Sequence, residues 1–170
     1  MRMTSERTTV RLSILSVCVI CAVMLTACGS SELKADISEY STDAIVIAGL
    51  TDDEFTVTPD DLAKMKFNTA SGSGGTEKAG TVSAVGPTLE TFLAEYGKTL
   101  SDISLVRFFA SDAYRITLRQ QTLQKSNIIL SIANGAEPLP ASQRPMRIFS
   151  PDLESNQWIY AVIRIEFEPA

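Results

Sequence analysis

Histidine is missing from all 170 residues, and the three cysteines, Cys18, Cys21 and Cys28, lie within the first 28. Without histidine there is no imidazole to act as general base near neutral pH, none to ligate a transition metal, and no Ser-His-Asp triad. A chain with no thiol beyond Cys28 has no disulfide in its body, no cysteine nucleophile there and no zinc-thiolate site. There is one Trp. The fold must rest mainly on an apolar core.

What is present first is an export signal. Arg2, Arg7 and Arg11 form a basic start, and an apolar run extends from Leu12 to Ala27. A basic region, a short apolar stretch and small residues before a cut site are the features of a secretory signal. Leu25-Thr26-Ala27-Cys28 resembles the bacterial lipoprotein box. That resemblance implies cleavage before Cys28 and acylation of its thiol. Two plainer readings stand beside it. An uncleaved membrane anchor needs about 18 or more apolar residues, and this run is interrupted by Ser13, Ser16 and Thr26. An ordinary cleaved signal also fits Leu-Thr-Ala. The Cys at the one position the box requires favours the lipoprotein, as does the small, polar Gly29-Ser30-Ser31 after it.

The division expected from this is a signal peptide over residues 1–27, a tether over 28–42 and one domain over 43–168. Removing residues 1–27 takes three Arg and one Glu from the 15 basic and 20 acidic residues, which leaves a net charge of −7. An acidic domain is a poor nucleic-acid partner, because polyanions reward basic patches. It is also poorly suited to adsorb to anionic lipid. The expected partner is therefore the membrane, reached through the Cys28 lipid, on the extracytoplasmic face of the cell membrane. Further partners open to it are a small anionic ligand or another envelope protein.

The pattern after residue 42 mixes strands with short helices. Strands are expected at Ala44–Ala48, Glu54–Thr58, Thr81–Val85, Leu105–Ala110, Tyr114–Leu118 and Met146–Phe149, with a long closing strand from Trp158 to Phe167. In that last strand Ile159, Ala161, Ile163, Ile165 and Phe167 should share one face. Thr58-Pro59-Asp60-Asp61 reads as a helix start, with Thr as cap, Pro in the first turn and acids at the positive end. Leu89, Phe92, Leu93 and Tyr96 recur at helical spacing between a Thr88 cap and Gly97. Lys66–Ala70 should be extended and 71–80 a mobile Gly/Ser loop. Ile128–Ala133 reads as a buried segment before an Asn134-Gly135 turn. The fold class expected is α+β, with mixed and antiparallel sheets and a few short helices.

Several pieces occur in an order that is similar to the molybdopterin-binding domain of sulfite oxidase-type oxidoreductases, from about Ala44 to Phe167. They are Gly86-Pro87-Thr88-Leu89 entering a helix, Ser111-Asp112-Ala113-Tyr114, Asn134-Gly135 with Leu139, Pro145-Met146-Arg147 running to Pro151, and Trp158. The resemblance implies that fold and, as an alternative function, a molybdopterin-dependent oxidoreductase. It also implies a molybdenum-ligating Cys before the Thr81 strand, where this chain reads Asn68-Thr69-Ala70-Ser71-Gly72-Ser73-Gly74-Gly75. The family's His is absent, Gln157 stands where a Lys is common, and Asp112-Ala113 replaces Asp-Gly. These departures point to a non-catalytic binding or accessory module that keeps the fold and carries no cofactor.

Candidate ligand-binding residues are Arg144 and Arg147, whose guanidinium groups suit phosphate or carboxylate, with Tyr114 and Trp158 flanking a pocket. The plain alternative makes the arginines surface charges or loop braces and the aromatics core residues. Gly72-Ser73-Gly74-Gly75-Thr76 lacks the ending of a phosphate loop. Asp52, Asp53 and Glu54 lack calcium-loop spacing. Asp60 and Asp61 are explained by the helix end. No residue is assigned to catalysis or to a metal.

Overall fold

The computed structural model describes residues 33–73 and 81–170. The expected export signal, Cys28 and residues 74–80 of the expected loop lie outside the described residues. The element order is β1 (Ile45–Ala48), β2 (Phe55–Val57), α1 (Pro59–Ala63), β3 (Phe67–Ser73), β4 (Thr81–Pro87), α2 (Leu89–Glu95), β5 (Ile103–Ala110) and β6 (Arg115–Arg119). Next come α3 (Gln120–Leu123), β7 (Ile129–Ser131), β8 (Ala133–Asn134), β9 (Glu137–Pro138), β10 (Arg147–Phe149) and β11 (Val162–Pro169).

Among the described residues three sheets form, with strand orders β2-β1-β11-β5-β6, β3-β4-β8-β9 and β10-β7. The pairing of β1 with β11 is parallel, and the other pairings are antiparallel. This is the expected α+β mixture of mixed and antiparallel sheets with short helices.

Local chemistry explains the elements. Thr58 and Asp61 form a reciprocal capping box that starts α1, which satisfies two N–H groups the helix would leave open. In α2 the Thr88 hydroxyl accepts from the Thr91 N–H at 3.0 Å, and Leu89, Phe92 and Leu93 are buried. Each such side chain taken from water contributes roughly 1.5–3 kcal/mol. Gly97 ends the helix at φ +66°, a conformation glycine enters without steric cost. Strand β4 passes so close to β7 that a Cβ on Gly86 would lie 1.9 Å from the Leu130 carbonyl oxygen.

Three expectations are corrected. The closing strand begins at Val162, not Trp158: Ala161 has φ +51°, and Trp158 to Ala161 form an irregular approach in which Ile159 makes only an isolated bridge to Ile148. A register shift between Val162 and Arg164 then moves the alternation. Val162, Ile165 and Phe167 are buried while Ile163 is 42% exposed, so Ile163 leaves the expected inner face. A bulge inserts one residue and turns the rest of the strand to the other side. Second, β3 runs on to Ser73, pairing Ser71, Gly72 and Ser73 with Ser83, Val82 and Thr81, where the composition suggests loop. Third, packing starts before Asp43. Ala35, Ile37 and Tyr40 belong to the core, so part of the expected tether is domain.

Candidate functional site

The site assembles where β7, β8 and β10 meet. In β10 Arg147 lies opposite Ser131 of β7, and its side chain is only 2% exposed. Its Nε donates to Ser131 Oγ at 3.3 Å, one terminal nitrogen to Gln143 Oε1 at 3.0 Å, and the other to Asn134 Oδ1 at 3.0 Å. All three acceptors are neutral, and among the described residues no carboxylate pairs with Arg147. Burial pushes its pKa down, and the neighbouring phenols of Tyr160 and Tyr40 oppose this. A guanidinium nevertheless stays charged in a protein.

The acceptors are themselves held. Ser131 Oγ donates to the Ala133 carbonyl at 2.9 Å and accepts from the Val85 N–H at 3.3 Å. Asn134 Oδ1 also accepts from the Ser83 N–H at 2.9 Å. One cation thus ties β4, β7, β8 and β10 through a closed polar network, and no buried side-chain polar atom among the described residues lacks a partner.

Arg144 is placed differently. Its Nε donates to the Leu139 carbonyl at 2.8 Å, and its terminal nitrogen pairs with Glu39. The guanidinium lies 4.7 Å from the centroid of the Tyr40 ring. The Tyr40 hydroxyl donates to the Ile132 carbonyl at 2.8 Å and accepts from the Leu139 N–H at 2.9 Å. Burial is the main reason the Tyr40 pKa is raised. Arg144 thus sits over Tyr40, its head engaged by a carboxylate, a carbonyl and a ring.

Tyr114 and Trp158 lie elsewhere, each beside the turn 155–157. Tyr114 is 49% exposed, and its hydroxyl donates to the Asn156 carbonyl at 2.9 Å. Trp158 is buried, donates from Nε1 to the Ser150 carbonyl at 2.9 Å, and lies 4.7 Å from Phe149 between ring centroids. Gly72 sits over this pair: a Cβ there would meet Phe149 at 3.0 Å. Beside it opens a groove of about 520 Å³ lined by Gly72, Ser73, Pro151, Leu153, Asn156 and Trp158 among others. Trp158 lines that groove; Tyr114 supports its wall from behind Asn156. Sequence reasoning missed Tyr40, Ser131 and Gln143. Ser131 lies in an apolar run and Tyr40 in a polar stretch, so only their long-range partners mark them.

The donor set can be compared with the molybdopterin the resemblance implies. The β3 segment offers an amide and hydroxyls from Asn68, Thr69, Ser71 and Ser73 but no thiol. Among the described residues no three Cys, Asp or Glu side chains gather as metal ligands. Three of the five Arg147 donors already serve protein acceptors. These residues do not fit a thiolate-held molybdenum centre.

No known family profile matches the sequence, and no curated protein matches it. In structure the chain is similar to the sulfane dehydrogenase SoxCD from Paracoccus pantotrophus, with a TM-score of 0.60 and 17% sequence identity. The match covers 82% of this chain and 41% of that one, so the chain spans less than half that protein's length. At this identity the likeness establishes the fold alone, and it is of the sulfite oxidase type.

Proposed function

We propose that this chain is a lipid-tethered, extracytoplasmic accessory module: a sulfite oxidase-type fold kept as a binding domain, without redox chemistry of its own. The observation that carries this is the state of Arg147. A guanidinium that serves an anionic ligand should keep its donors for that ligand. Here three donors face Ser131, Gln143 and Asn134. The absence of any thiol after Cys28 and of any imidazole supports the same reading.

The lipid on Cys28 supplies membrane attachment, since two or more acyl chains hold a protein stably where one does not. The candidate binding surface is the groove beside Trp158, whose mixed aromatic and hydroxyl lining suits an envelope partner or a small ligand. The test is elemental analysis of the full chain, purified from cells that make molybdopterin, together with its native mass. The expected result is no molybdenum and no pterin mass. Close to one molybdenum per chain would replace this reading with an oxidoreductase whose metal is held without thiolate.

A further inference from the structure

We infer that the lipid anchor keeps one side of the domain turned towards the bilayer: the half around Leu33, Lys34, Phe67 and Ala136. This rests on the proposal that Cys28 is acylated. Cys28 and Leu33 are five residues apart, so the fully extended chain between them reaches at most about 18 Å. A domain of this length has a radius of gyration of about 14 Å, hence a diameter near 37 Å. The leash is shorter than the body it holds, and the pole opposite Leu33 cannot touch the membrane.

The leash does not lengthen by peeling. Ala35 and Ile37 are buried, and Tyr40 is 1% exposed. The Tyr40 hydroxyl bridges Ile132 and Leu139, and Glu39 pairs with Arg144. These contacts reach residues some ninety or more positions further along the chain, so the segment is clamped to the body where it leaves the anchor. Next to its described start lies a cavity of about 320 Å³ lined by Leu33, Lys34, Phe67, Thr69, Val85 and Ala136 among others. Apolar side chains with one lysine at the rim suit the headgroup boundary, where stems bury and the ammonium stays hydrated. The net charge of −7 gives no general attraction to anionic lipid, so the orientation comes from the leash and holds in uncharged membranes too.

The test uses the full, lipidated chain in phosphatidylcholine vesicles that carry a nitroxide lipid. Since no Cys lies beyond Cys28, Ala136→Cys and Thr117→Cys each add one thiol for a fluorophore. Thr117 is exposed on β6, the edge of the five-stranded sheet, between buried Ile116 and Leu118. It shares no element with the cavity lining. Labels on both variants, checked for unchanged unfolding midpoints, should show quenching at least threefold stronger at position 136. A twenty-residue Gly/Ser insertion after Ser30 should bring the two sites close to equality. Equal quenching at native length overturns the orientation while leaving the anchor intact. A preference that survives the insertion overturns the leash as its cause. Protein that does not float with the vesicles refutes the lipid anchor, and the orientation with it.

Discussion

Arg164 and Arg147 both sit on strands, yet their surroundings are opposites. Arg164 lies on the outer face of the five-stranded sheet, paired with Glu54 and Glu166. Those carboxylates raise its pKa, and Arg164 in turn holds Glu54 below the usual carboxylate range. Arg147 is buried, with only a hydroxyl and two amide oxygens to receive it. The solvated arginine has full charge compensation and contributes little, because exposed pairs are worth about 0–1 kcal/mol. The buried one has none and holds four strands together. Compensation by charge and importance to the fold therefore run in opposite directions in this protein.

The sharpest way to break the comparison is to truncate each side chain. Arg147→Ala leaves Ser131, Gln143 and Asn134 facing a void and should cost about 3 kcal/mol or more in urea unfolding. A loss below about 1 kcal/mol would make Arg147 dispensable to the fold. Tyr40→Phe removes a hydroxyl that serves two buried backbone groups and should cost about 1–2 kcal/mol; a neutral result would show that the segment before Asp43 is not clamped. Arg164→Ala should stay within about 1 kcal/mol of the parent, and a cost equal to that of Arg147→Ala would erase the distinction.

Smaller still is the gain expected from Ala113→Gly. Ala113 is exposed at φ +68° in the β5–β6 turn, a conformation that costs a non-glycine residue roughly 1 kcal/mol or more, so its unfolding midpoint should rise slightly. A fall would mean that Ala113 makes contacts that outweigh its backbone conformation.

Acid sharpens the comparison from the charged side. Glu54, with a lowered folded pKa, binds its proton less readily folded than unfolded. Its stabilisation is therefore complete above the ordinary carboxylate range and fades as pH falls through the depressed value. Asp61 behaves likewise, chiefly through the Thr58 hydroxyl. Acid unfolding of Glu54→Gln should show a shallower loss below about pH 4, the ordinary carboxylate range, than the parent. Between about pH 6 and 8 stability should be flat, because no histidine titrates there. A step in that window would contradict this assignment of the titrating groups.

Much of the fold was legible because it is written locally. The Thr58 and Thr88 caps, the Leu89-Phe92-Leu93 stripe and the Asn134-Gly135 turn all depend on near neighbours. What was not legible depends on distant ones. The bulge at Val162/Arg164 is set by β5 across the sheet, and no alternation in β11 itself announces it. The clamp on Tyr40 comes from Ile132 and Leu139, so a polar stretch reads as tether. The arginines were found as residue types, but their roles were not: Arg144 meets Glu39, a residue expected outside the domain, and Arg147 is buried by strands whose packing no motif encodes. Trp158 is a core residue that also lines a groove, while Tyr114 reaches that groove's wall only through the Asn156 backbone carbonyl.

The central claim is that the Arg147 charge is engaged by the protein itself. Proton–nitrogen NMR of the Arg147 Nε–H, identified by its disappearance in Arg147→Lys, tests it most directly. The expected result is a slowly exchanging signal that does not move as inorganic phosphate or molybdate is added to millimolar concentration. A rapidly exchanging signal that shifts saturably with either anion would contradict the claim and make Arg147 a ligand-binding group.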